Sequence, residues 1–138
     1  MIGMEQFNRW IFSRMQNEQA ARKALHSRIE HEIERIDLVA VLTDDEKAKI
    51  RLAGKGDVKR FFDDVREARR KFTELGEVNQ NQVQQAYQLA SPLAQRINSG
   101  LFDKDSLLKK VAATAPSPER ADRIRERNRR RIETQKTV

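Results

Sequence analysis

His26 and His31 are the two side chains in this sequence whose ordinary pKa lies near neutrality. His31-Glu32-Ile33-Glu34-Arg35 opens like the metalloprotease helix motif, in which a second histidine four residues on reaches the metal from the same face, but Arg35 stands at that position. His26 lies on the other side, about 140° around a helix of 3.6 residues per turn, so the pair cannot share an ion. Both read as surface residues. The carboxylates of Glu30, Glu34, Asp44, Asp45, Asp63, Asp64 and Glu67 never fall into the Glu-x-x-His pattern of di-iron bundles and read as solvated helix faces. With no cysteine, thiolate zinc sites, disulfides and cysteine nucleophiles are all excluded. Serine and threonine lack a histidine partner or a nucleophile elbow. The expectation is a protein that is not an enzyme and uses no cofactor, metal or small-molecule substrate.

Anions are the remaining chemistry. Gly54-Lys55-Gly56 followed by Lys59 and Arg60 has the glycine amides and cations that hold a phosphate at a helix start, which makes Lys55, Lys59 and Arg60 candidate anion contacts. The spacing is not a Walker loop, and Asp57 puts a negative charge where the anion would sit, so a plain helix corner is the competing reading. The second basic feature is the C-terminal run, in which Arg123, Arg127, Arg130 and Arg131 are candidate nucleic-acid contacts. Glu119, Asp122, Glu126 and Glu133 alternate with those arginines at helical spacing, a pattern that also suits an exposed helix with its own ion pairs.

The elements that would carry these groups follow from composition. The 138 residues include 28 Lys+Arg and 21 Asp+Glu, with 36% charged and 38% hydrophobic residues. That balance leaves little for a thick core and favours helices sharing narrow apolar seams. Five glycines, three prolines and 6% aromatics are too few for the frequent turns of a sandwich or barrel. Residues 118–138 hold +4 of the net +7 and have few large apolar side chains, Ile124, Ile132 and Val138.

From Phe7 the apolar positions Trp10, Ile11, Met15, Ala21, Leu25, Ile29, Ile33, Ile36 and Ala40 recur mostly three or four apart, one stripe on a long helix that needs an antiparallel neighbour or a second chain. Thr43 and Glu46 form a capping-box signature, and the helix they open is expected to stop near Ala53, with Ala53–Asp57 as a corner. Beyond it Val58, Phe61, Phe62, Val65, Phe72 and Leu75 make an aromatic face that reads as the hydrophobic centre, ended by Gly76. Val83, Ala86, Tyr87, Ala90, Leu93 and Ile97 keep helical spacing through a Gln-rich tract, with Ser91-Pro92 as a kink or restart. Leu101-Phe102 is expected to plug the bundle end, Asp105 to cap a short helix bearing Leu107, Leu108 and Val111, and Ala115–Pro118 to link to the basic tail.

Leu42-Thr43-Asp44-Asp45-Glu46 and Ala53-Gly54-Lys55-Gly56-Asp57-Val58-Lys59-Arg60-Phe61-Phe62-Asp63-Asp64-Val65 resemble a block, "LT…LAGRGDIKRFFDRV", of uncharacterised helical proteins of planctomycete-type bacteria. The likeness runs more loosely through Pro92-Leu93, Gly100-Leu101-Phe102 and Ser117-Pro118-Glu119-Arg120, and it implies a helical fold without an activity. Leu42–Glu46 also resembles the LTxxQ motif of Spy-type and CpxP-type periplasmic helical proteins, which implies a curved, dimeric chaperone or sensor. Glu46 replaces that motif's glutamine, and a capping box alone would produce the same residues.

The expected architecture is all-α: an elongated helical hairpin or bundle over residues 1–114, with a long N-terminal helix, and a Pro-linked basic C-terminal helix or tail over 115–138. The expected function is protein binding, chaperone- or stress-sensor-like, with Phe7, Trp10 and Phe12 touching a protein partner or a second copy. The alternative is an accessory protein binding nucleic acid through the arginine-rich helix. Trp10-Ile11-Phe12 is too short an apolar run for a signal or membrane span, so a cytoplasmic location is expected as written, or an extracytoplasmic one if a leader has been removed.

Overall fold

The computed structural model describes residues 3–12, 17–76, 79–114 and positions 126, 127 and 129. Its helices are α1 Met4–Phe12, α2 Glu18–Ala40, α3 Asp44–Glu74, α4 Gln80–Gln95 and α5 Leu107–Thr114, with a π-helical turn at Arg96–Gly100 after α4. Among the described residues there is no strand. No described helix is long and apolar enough to cross a membrane.

Local chemistry sets the helix ends. Asn17, in extended backbone, accepts the Ala20 N–H at 2.8 Å and starts α2. The single N-terminal helix expected from the stripe is therefore two helices, because Asn17 leaves the helical region and supplies a new cap. The stripe itself holds: Ala21, Leu25, Ile29, Ile33 and Ala40 are all buried. Thr43 opens α3 with a complete capping box, its hydroxyl accepting the Glu46 N–H at 3.1 Å while Glu46 accepts the Thr43 N–H at 2.8 Å. Asn79 and Gln82 do the same for α4. Gly76, at φ +71°, takes the left-handed conformation that follows the end of α3.

The expected corner at Ala53–Asp57 does not exist, since α3 runs straight through it for 31 residues. Gly54 is there because of packing: a Cβ at this position would lie 2.9 Å from Ile29 Cγ1 and 2.9 Å from Leu108 Cδ1. The glycine lets α2 and α5 approach the α3 backbone from two sides. Pro92 neither restarts nor ends α4, which continues to Gln95 before widening into the π turn. Asp105 is exposed and is not the cap of α5; Ser106 is, its hydroxyl accepting the Lys109 N–H at 3.2 Å.

α3 is the central strut, packed on α2, α4 and α5, and α1 lies chiefly on α4. The pairs Glu30–Arg51 and Asp37–Lys47 show α2 running antiparallel to α3. Phe7 stacks on Phe72 with ring centroids 4.5 Å apart and Phe12 faces Phe62 at 6.1 Å, so α1 is antiparallel to α3 as well. Arginines seal this aromatic seam: Arg22 stands 3.9 Å above the Phe62 ring and Arg96 5.3 Å from that of Phe61. Leu101 and Phe102 are buried at the bundle end, where Arg28 donates to the Ile97 carbonyl at 2.6 Å and lies over Phe102.

Candidate interaction surfaces

The residues expected to meet a partner at the N-terminal end are mostly occupied by the chain itself. Phe7 and Phe12 are buried against Phe72 and Phe62. Trp10 is partly buried and meets Tyr87 of α4 edge-on at 5.5 Å. Of these aromatics Tyr87 is the accessible one, at 53% exposure.

Lys55, Lys59 and Arg60 share no glycine loop, because the amides that would have held an anion are part of the α3 helix. Their side chains are exposed on its outer surface. Arg60 lines a 230 Å³ cavity together with Asp57, Arg96, Asp103 and Asp105, so the lining it shares includes three carboxylates. Asp57 itself turns inward: its two oxygens accept the N–H groups of Leu107 and Leu108, each at 2.9 Å. That places its negative charge at the positive end of α5.

Of the arginines read as nucleic-acid contacts, Arg127 is engaged at the end of α2, while Arg123, Arg130 and Arg131 lie outside the described residues, as does the 115–118 linker. Arg127 donates to the Asp37 carbonyl at 2.8 Å and lies 3.4 Å from its carboxylate. A cation there complements the negative end of the helix dipole. Asp37 is the hub of the α2–α3 junction, accepting the Leu42 N–H at 2.7 Å and facing Lys47 at 3.5 Å. Partial burial pushes its pKa up, but the Leu42 bond and the charges of Lys47 and Arg127 outweigh that and hold it below the ordinary value. Between them sits Val41 at φ 52°, ψ 74°, a left-handed backbone that costs a β-branched residue about 1–2 kcal/mol and is held by the surrounding bonds.

His26 and His31 are both exposed on α2. Among the described residues no three His, Asp or Glu side chains are arranged to hold a metal ion. Near α1 a 220 Å³ cavity is lined by Glu5, Asn8, Arg9, Asn17, Glu18 and Arg69, and Arg69 already donates to Asn8 at 2.9 Å. The 430 Å³ groove between α2 and α5 is different in character: Ile36, Val39, Ala40, Ala112 and Ala113 make an apolar floor, with Glu32, Arg35 and Lys109 on its rim. Val39 within it is 69% exposed, while Leu38, which does not line the groove, is 67% exposed and Leu52 on the outer face of α3 is 72% exposed. Their sequence signal is that all three are apolar residues lying off the buried stripes.

No family model matches this chain, and no curated protein or solved structure matches it either. The Leu42–Glu46 segment, whose motif resembles LTxxQ, acts in this fold as a capping box.

Proposed function

We propose that this chain is a non-enzymatic helical module that works by protein–protein contact, and that its α2–α5 groove receives a second copy of the same chain. The observation that carries the reading is Val39, 69% exposed although it lines the groove with Ile36, Ala40, Ala112 and Ala113. Covering such side chains removes apolar surface from water, the main driving force of association. A two-fold contact sets one patch against its own copy, so the patch must tolerate its own charges. The rim does, because Glu32 is paired with both Arg35 and Lys109 within the chain. A chaperone- or stress-sensor-like use of the same strip, with a client displacing the second copy, is the form of this function that the LTxxQ resemblance suggests.

Sedimentation velocity over about a hundredfold range of concentration tests this, since mass action makes a self-association visible as a concentration-dependent sedimentation coefficient. The wild-type chain shifts towards the dimer, Val39→Glu stays monomeric, and Leu52→Glu on the opposite helix behaves as wild type. A wild-type monomer at every concentration, or a dimer indifferent to Val39→Glu, overturns the proposal.

A further inference from the structure

The outer face of α3 has a property that the α2–α5 groove lacks. Lys49, Leu52, Lys55 and Lys59 are exposed on one side of the helix over about 15 Å at 1.5 Å per residue. Between Glu46 and Asp63 the sequence has one acid, Asp57, and that carboxylate is buried as the cap of α5. Of the other cations of this stretch, Lys47 is paired with Asp37 and Arg51 with Glu30, and Arg60 lines a cavity that Asp103 and Asp105 also line. Among the described residues no carboxylate lies within ion-pair distance of Lys49, Lys55 or Lys59. Asp44 and Asp45 bound the strip at one end, and Asp63, paired with Arg66, bounds it at the other. Beyond Asp63 the outer face is self-neutralised by Arg70 with Glu67 and Glu74.

The geometry points to Lys49, Leu52, Lys55 and Lys59 as a docking strip for an acidic amphipathic helix of a different protein. A second copy of this chain is a poor occupant, because three lysines would meet three lysines. A carboxylate-bearing helix complements the charge, and its spacing of one side chain per turn or two matches a lysine strip on a facing helix. Leu52 decides between a protein and a nucleic acid. It is 72% exposed between the lysines, and a phosphate backbone offers it nothing apolar, whereas an amphipathic helix can cover it with a leucine of its own. The described residues of the strip include no aromatic on which a base could stack.

The test is fluorescence anisotropy on the full chain with three probes: a labelled helical peptide bearing glutamates flanking one leucine on the same face, polyglutamate, and a labelled DNA duplex. The leucine-bearing peptide binds most tightly. Lys55→Glu/Lys59→Glu weakens it at least about tenfold, the equivalent of losing about 1.4 kcal/mol of contact. Leu52→Ser weakens it while leaving polyglutamate binding unchanged, and Lys110→Glu, an exposed site on α5, changes neither. Circular dichroism confirms that each variant keeps its helix content. Val39→Glu leaves peptide affinity intact, so a failure of self-association and a failure of this contact are read separately. Tightest binding to the duplex with no dependence on Leu52 overturns the inference in favour of nucleic acid, and peptide binding indifferent to the Lys55/Lys59 pair overturns it outright.

Discussion

Asp57 and Leu108 are joined across the bundle: Oδ2 of the aspartate accepts the leucine N–H at 2.9 Å, while its Oδ1 takes the N–H of Leu107. One carboxylate in the middle of α3 thus closes the first turn of a helix 50 residues further along. Charged hydrogen bonds of this kind contribute about 1.5–3 kcal/mol, and a lost helix cap costs about 0.5–2. Asp57→Ala is therefore expected to lower stability in urea by about 2 kcal/mol, and Asp57→Asn, which keeps one acceptor, by about half as much. A loss below about 0.5 kcal/mol would mean that Ser106 alone suffices to start α5.

The two glycines that flank Lys55 respond with opposite signs. Alanine at Gly54 places a Cβ 2.9 Å from Ile29 and Leu108, both almost wholly buried with nowhere to move. Overpacking costs about 1–3 kcal/mol and the gain in helix propensity returns about 1, so Gly54→Ala is a net loss of about 1 kcal/mol. At Gly56 the new methyl meets only the end of Leu107 at 3.4 Å, and Gly56→Ala gains about 0.5–1 kcal/mol. Thermal denaturation of the two variants side by side reads both signs. Had this segment been a corner, the two would behave alike.

Asp37 gives the junction an acid-dependent share of the stability. The folded chain keeps this carboxylate ionised to lower pH than the unfolded chain does, so folding is favoured wherever Asp37 is charged in both states. The contribution is complete above the unfolded value of 3.8 and is lost as pH falls through the lower folded one. Asp37→Asn should be less stable than wild type by about 1 kcal/mol at about pH 6, and the gap should narrow as pH falls below 3.8. Arg127→Ala should reproduce part of the neutral-pH loss. A gap that is constant with pH would remove Asp37 from the role of hub.

Local patterns revealed what depends on local chemistry. The buried stripe of α2, the Thr43–Glu46 box and the phenylalanine seam of α3 each follow from residues three or four apart, and each is present in the fold. Gly54 and Asp57 were legible as special residues but not for the right reason. A glycine followed by an aspartate is a sound turn signal within its own neighbourhood, and what overrides it lies 25 residues back at Ile29 and 54 residues on at Leu108. The same holds for the candidate sites. Phe7 and Phe12 carry the apolar surface of a partner site, yet their partners, Phe72 and Phe62, are on the same chain. Leu38, Val39 and Leu52 were visible only as apolar residues out of phase with the stripes, and a periodicity argument has no place for them.

The measurement that bears most directly on surface contact as the working principle is photo-crosslinking from position 39. With a benzophenone side chain in place of Val39 and the chain at a concentration where it associates, covalent dimers should form. Mass spectrometry should then place the linkage on α2 or α5 of the other copy. Crosslinks confined to one chain, with position 39 joined to its own residues 115–138, would show that the groove belongs to the chain's own C-terminal segment and contradict the account.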